Sequence, residues 1–113
     1  MKLLIYGSDD VKIEQNKLNF LVWGAFLNKP SELITHGGLN AVDVAKVQLS
    51  TFFGIKTTVV IPEPNALAQE SDALLLIWNG KSRECSKVLK EMHKLKKPVV
   101  EIIVRKSMKD GDE

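Results

Sequence analysis

The sequence has little cysteine and little histidine, which excludes two classes of small protein. Its single cysteine, Cys85, cannot form an internal disulfide, and with only two histidines in 113 residues it cannot build a structural zinc site. A chain of this length can bury a core without cross-links. We therefore expect a fold that needs no metal and no cofactor, in a reducing compartment.

Long apolar runs and a strong charge imbalance are also absent. No run approaches the ~18 apolar residues of a membrane span, and "MKLLIYGSDD" is too polar for a secretory signal. The net charge is only +2 although 27% of the residues are charged, whereas nucleic-acid-binding proteins usually concentrate basic residues on one face. These features predict a cytoplasmic protein with no membrane partner, and they argue against nucleic acid as a partner.

Short apolar runs alternate with helical patterns along the chain. Five runs are typical of strands: 2–6, 31–36, 56–61, 72–78 and 99–104. Three stretches with helical periodicity predict helices: Val11 to Asn28, Asn40 to Phe53, and Ser82 to about Lys96. The loop after the third strand has room for one helical turn.

The alternation of strands and helices predicts a parallel sheet with right-handed crossovers. Near-continuous apolar strands such as "ALLLI" fit burial on both faces. We expect an α/β protein with a three-layer Rossmann-like fold and a five-stranded parallel sheet in the order 3-2-1-4-5. Residues 1–104 would form this single domain, and residues 105–113 a polar tail.

Two predicted helices carry apolar residues with different implications. In the second helix the spacing assigns four residues to the core: Val42, Ala45, Leu49 and Phe52. The first helix contains "FLVWGAFL", from Phe20 to Leu27, which is more apolar surface than one face of a small sheet requires. We therefore expect a homodimer that forms through the first helix.

Glycine and small polar residues follow three of the predicted strands. In parallel sheets, ligands bind at the carboxyl ends of the strands, where the strand order reverses. The candidate ligand-binding residues in these three loops are Gly7, Ser8, His36, Gly37, Gly38, Asn79, Gly80 and Ser82, joined by Asp43 at the start of the second helix.

Each of these candidates also has a structural explanation. Gly37 and Gly38 either serve a tight turn or allow a ligand to approach the backbone. Asp43 is either a capping partner for Asn40 or an acceptor for a ribose hydroxyl. Ser82 can act as a helix cap without any ligand.

Several motifs together resemble the SLOG superfamily, in particular its YspA-like branch. The motifs are "HGGLNAVD", the strand and loop "DALLLIWNGKSRE", and "KKPVVEI", and the resemblance extends from Leu3 to about Ile103. The HGG-x-x-G-x-D run of that superfamily matches at His36, Gly37, Gly38 and Asp43, with Ala41 in place of its third glycine. The resemblance implies a Rossmann-like domain that binds a nucleotide or nucleotide-sugar derivative, in a sensing or regulatory role.

Two departures from the family pattern add negative charge where helix N-termini attract phosphate. Asp9 stands in place of an arginine in the first loop. Glu84 and Cys85 replace a glycine-threonine pair after the fourth strand.

Two alternative functions remain open at this point. One is an enzyme that cleaves an N-glycosidic bond, resembling phosphoribohydrolases or deoxyribosyltransferases. Those relatives keep a catalytic glutamate where this chain has Val88, and Glu84 is the nearest acid, so we expect no enzymatic activity. The other is a degenerate domain that is retained for protein–protein contact.

Overall fold

The computed structural model describes residues 1–8, 11, 16–18, 22, 30–37 and 41–104. Its five strands are β1 (Lys2–Gly7), β2 (Glu32–Thr35), β3 (Lys56–Val59), β4 (Ala73–Trp78) and β5 (Val99–Ile103). Its three delimited helices are α1 (Ala41–Phe53), α2 (Pro64–Glu70) and α3 (Arg83–Lys94). Residues 16–18 and 22 are also helical. The rest of the first predicted helix, apart from Val11, and the predicted tail lie outside the described residues.

The strands form one parallel sheet in the order β3-β2-β1-β4-β5, which confirms the predicted fold class and strand order. The order reverses between β1, the central strand, and its neighbour β4. All six residues of β4 are buried, as its continuous apolar run indicates. No helix in the described part of the chain is long and apolar enough to span a membrane.

Helices pack on both faces of the sheet. Successive side chains of each strand point to opposite faces, so each strand contributes to both cores. Leu3 and Ile5 of β1 pack on one face with Val42 and Leu49 of α1. Leu4 packs on the other face, and the same cluster includes buried residues of α2 and α3: Leu67, Ala68, Cys85, Val88 and Met92. Each large apolar side chain buried in this way stabilises the fold by roughly 1.5–3 kcal/mol.

Two details of the helices differ from the prediction. Phe52 is 71% exposed, and Phe53 packs against the core in its place. The buried stripe of α1 runs through Val42, Lys46 and Leu49, and this places Phe53 on the core side of the last turn. The loop after β3 also holds a seven-residue helix, α2, rather than a single turn.

Candidate functional site

β1 and β2 separate at their carboxyl ends. Their pairing covers only Lys2 to Leu4 of β1, whereas β1 continues beside β4 as far as Gly7. Just beyond the last β1–β2 pair, the carbonyl oxygen of Ile5 accepts a hydrogen bond of 2.9 Å from the Lys46 ammonium group. A side chain from α1 thus supplies a polar contact where the two strands part.

The Lys46 side chain is fully buried within the apolar face of α1. Burial lowers the pKa of Lys46, because the charged form loses its hydration, while the negative charge of Asp43 acts in the opposite direction. The Lys46 nitrogen lies 3.0 Å from Asp43 Oδ1, and Asp43 is itself buried. The two residues are three apart on α1 and therefore project from the same side of the helix.

His36 completes this group from the end of β2. Its Nε2 lies 3.6 Å from Asp43 Oδ1, and its ring packs at 5.1 Å, centroid to centroid, against Tyr6 of β1. The His36 side chain is 18% exposed, whereas Asp43 and Lys46 are covered. In this group, which we name the β1–β2 cluster (His36, Asp43 and Lys46), His36 is the member that solvent or a ligand can reach.

Gly7 brings α1 close to the end of β1. A Cβ atom on Gly7 would lie 2.5 Å from Val42 Cγ2 and 2.8 Å from the Ile77 carbonyl oxygen, both too close for any side chain. Position 7 therefore requires glycine because other groups lie close to its backbone. Those groups belong to α1 and β4 of the protein itself and not to a ligand.

Ser8 follows Gly7 and has an unusual environment. It is only 5% exposed, and within the described part of the chain its hydroxyl group has no hydrogen-bond partner. Its carbonyl oxygen accepts a hydrogen bond of 3.3 Å from the amide of Val11. A buried hydroxyl without a partner typically destabilises a protein by about 1–3 kcal/mol, so this group calls for an explanation.

Gly37 has a conformational role rather than a steric one. Its φ is +79°, and a Cβ atom there would meet only Val59 Cγ1, at 3.7 Å. Its amide donates a hydrogen bond of 3.2 Å to the Thr35 hydroxyl. The turn itself thus favours glycine at position 37, and Gly38, Asn40 and the side chain of Ala41 lie outside the described part.

The three candidates after β4 form the turn that begins α3. Asn79 Oδ1 accepts hydrogen bonds from the amides of Lys81, at 2.7 Å, and Ser82, at 3.0 Å. Ser82 Oγ accepts one of 3.3 Å from the amide of Cys85, which confirms the predicted helix cap. Gly80 has a φ of +83°. The Ser82 hydroxyl acts here as an acceptor, so its own proton can still be donated to a ligand.

The structure thus gathers the predicted site residues into two groups at one edge of the sheet. His36 and Asp43 meet at β1 and β2, beside Gly7, and Asn79 to Ser82 form the turn after β4. Lys46 is the member that sequence reasoning missed. Its signal was a lysine four residues after Val42, on the predicted core face of a helix, where a charge needs a partner.

The arrangement offers hydrogen-bonding groups rather than metal ligands. Among the described residues, no group of three or more His, Cys, Asp or Glu side chains could hold a metal ion. Comparisons of the chain with protein-family models, with curated proteins and with solved structures find no match.

Proposed function

We propose that this protein is a small sensing or regulatory domain of the SLOG type that binds a nucleotide or nucleotide-sugar derivative. Its ligand would lie at the carboxyl ends of β1, β2 and β4. The observation that carries the proposal is the buried Ser8 hydroxyl, which the described residues leave without a hydrogen bond. A bound ligand would supply the missing partner and thereby offset the penalty of that group.

The β1–β2 cluster supports a hydroxyl-bearing ligand group. Lys46 and Asp43 carry opposite charges 3.0 Å apart, so the pair presents no net charge to a ligand. His36, the accessible member, can donate or accept a hydrogen bond. A ribose or sugar hydroxyl suits such a surface better than a phosphate group does, because a phosphate needs an excess of positive charge.

The nucleotide part of the proposal rests on the resemblance of "HGGLNAVD" to the SLOG pattern and on the position of the cluster. Ligands of parallel α/β sheets bind beyond the carboxyl ends of the strands. His36 and Asp43, two of the matching residues, meet at that edge.

Calorimetric titration with AMP, ADP-ribose and UDP-glucose would test this function. We expect saturable binding of at least one of them, weakened about tenfold in the His36→Phe variant, which keeps the ring packing on Tyr6 but loses both nitrogens. The matched control is His93→Phe, because His93 is exposed on α3. Absence of saturable binding by all three compounds, or equal affinities of the two variants, would refute the proposal.

We also propose that the protein acts in the cytoplasm as a homodimer formed through the first predicted helix. Leu18 and Val22, two of the described residues of that helix, are buried and belong to the core. The dimer contact would therefore involve Trp23, which does not share the helical spacing of Leu18 and Val22, rather than Phe26, which follows Val22 by four residues. Light scattering should give twice the 12.6 kDa chain mass, and a monomer mass at high concentration would exclude this dimer.

A further inference from the structure

Positive charge is concentrated in one segment of the chain. Residues 81–97 contain seven Lys and Arg residues and two Glu residues, a net charge of +5, although the whole chain carries only +2. The remaining residues therefore have a net charge of −3. α3 and its flanks are therefore strongly basic, although the overall charge is small.

Part of this charge lines a groove between α2 and α3. The groove has a volume of about 450 Å³ and is lined by Pro64, Asn65, Lys87, Lys90, Glu91 and Lys94. It lies on the face of the sheet that α2 and α3 cover, whereas α1, which carries Asp43 and Lys46, packs on the other face, and none of the residues lining the groove belongs to the β1–β2 cluster. The groove is therefore a second site, separate from the one proposed above.

The three lysines of the groove form a row along α3. Lys87, Lys90 and Lys94 are spaced three and four residues apart, so they share one side of the helix over about 10 Å. All three side chains are exposed. The one carboxylate in the groove, Glu91, lies 3.5 Å from the Lys94 nitrogen. The row thus keeps an excess of positive charge, and like charges at this spacing repel one another in the absence of an anion.

We propose that this groove binds a small, multiply charged phosphate, of the size of a di- or triphosphate. Its volume is that of a small-molecule site. Lysine ammonium groups bind phosphate as point charges, and the amide of Asn65 adds a hydrogen-bond donor. The row is short and has α2 along one side, which fits a compact anion better than a continuous nucleic-acid strand.

Calorimetric titration of the full chain with inorganic tripolyphosphate tests this site. We expect saturable binding to one site, weaker at higher salt because the lysines are solvated. Lys87→Gln and Lys90→Gln should each weaken binding about fivefold. Glu91→Gln should strengthen it, because the competing carboxylate next to Lys94 is removed. The matched control is Lys56→Gln on β3, an exposed lysine outside the groove.

Three results would overturn the proposal. The first is the absence of saturable tripolyphosphate binding at low salt. The second is an equal loss of affinity in Lys56→Gln and Lys90→Gln, which would indicate unspecific attraction. The third is much tighter binding of a single-stranded oligothymidylate than of tripolyphosphate, which would make the row a nucleic-acid surface.

Discussion

Lys46 places an ammonium group within the hydrophobic face of α1, where an isolated charge would be strongly destabilising. Two oxygens offset the energetic cost of burying this ammonium group: the Ile5 carbonyl oxygen at 2.9 Å and Asp43 Oδ1 at 3.0 Å. A buried ion pair adds little net stability, but removal of one partner leaves the other charge buried alone. Lys46 and Asp43 thereby hold the end of β1, α1 and His36 in one arrangement.

Replacement of Lys46 by methionine should therefore be costly. We expect Lys46→Met to lower the free energy of unfolding by about 3–5 kcal/mol, measured by urea denaturation, because the buried Asp43 carboxylate loses the ammonium group at 3.0 Å. The double variant Lys46→Met/Asp43→Asn should recover part of this loss. Lys87→Met on the exposed side of α3 is the control and should change the value by less than about 0.5 kcal/mol. A Lys46→Met loss no larger than the control's would contradict the role of the pair.

The lowered pKa of Lys46 also predicts a dependence of stability on pH. Burial places the pKa of Lys46 in the folded protein below the unfolded value of about 10.4. Between the two values the unfolded chain binds more protons, so the stability contributed by this group rises with pH. The difference in unfolding free energy between wild type and Lys46→Met should thus increase as the pH rises towards about 10. A difference that stays constant or decreases would show that the pKa is not lowered.

Sequence reasoning succeeded at some residues and failed at others for identifiable reasons. Ser82 was predicted correctly as a helix cap, because a serine just before a helical pattern can accept a hydrogen bond from an amide in the first turn of that helix. Phe52 was assigned to the core wrongly, because Phe52 and Phe53 follow Leu49 by three and four residues, both spacings fit a core stripe, and only the packing of Phe53 distinguishes them. The partners of Lys46 could not be predicted, since the Ile5 carbonyl is distant in sequence.

At the scale of the elements, α3 ends in a Schellman motif. The amide of Lys97 donates to the Met92 carbonyl, and that of Lys96 donates to His93, both at 3.0 Å. Lys96 occupies the left-handed position of this motif, with a φ of +57°, which glycine adopts without penalty. Just beyond it, the Lys97 ammonium group donates to three carbonyls at the end of α2: those of Ala68, Gln69 and Ser71. This connection fixes α2 beside α3 and so shapes the groove between them.

The end of α3 offers a stabilising substitution. Lys96→Gly should raise the free energy of unfolding by about 0.5–1 kcal/mol, because it relieves the left-handed strain that a Cβ atom imposes. Lys90→Gly in the interior of the same helix is the matched control and should lower it by about 1 kcal/mol. Urea denaturation of both variants would measure the two values, and a destabilised Lys96→Gly protein would contradict the motif.

At the scale of the whole molecule, the sheet carries different chemistry on its two sides. The strand order was predictable, because alternating strands and helices restrict a parallel sheet to few topologies. The sequence predicted that the residues of the two groups at the carboxyl edge follow the ends of strands, but it did not predict which of them are in contact. The Ser8 hydroxyl, which has no hydrogen-bond partner within the described part of the chain, depends on packing between distant segments, and local pattern gives no sign of it. The row of Lys87, Lys90 and Lys94 is visible in the sequence, but the groove that it lines depends on the packing of α2 beside α3.

The same architecture predicts that N-glycosidase activity is absent. Val88, where the resembling enzymes keep their glutamate, is fully buried, and Glu84 is exposed in the first turn of α3. Incubation with nucleoside monophosphates, followed by chromatography, should therefore show no free base above background. Base release that disappears in Glu84→Gln would make Glu84 the catalytic acid and reverse this prediction.

The most direct test of the proposed binding site is the Ser8→Ala variant, measured for stability and for ligand affinity together. Ser50→Ala is the matched control, because Ser50 is also buried but donates a hydrogen bond of 2.8 Å to the Val47 carbonyl. If Ser8 is reserved for a ligand, Ser8→Ala should keep or slightly raise the unfolding free energy and weaken nucleotide binding about tenfold. Ser50→Ala should instead lose about 1 kcal/mol of stability and keep its affinity. Undiminished nucleotide affinity in Ser8→Ala would contradict the assignment of this edge as the binding site.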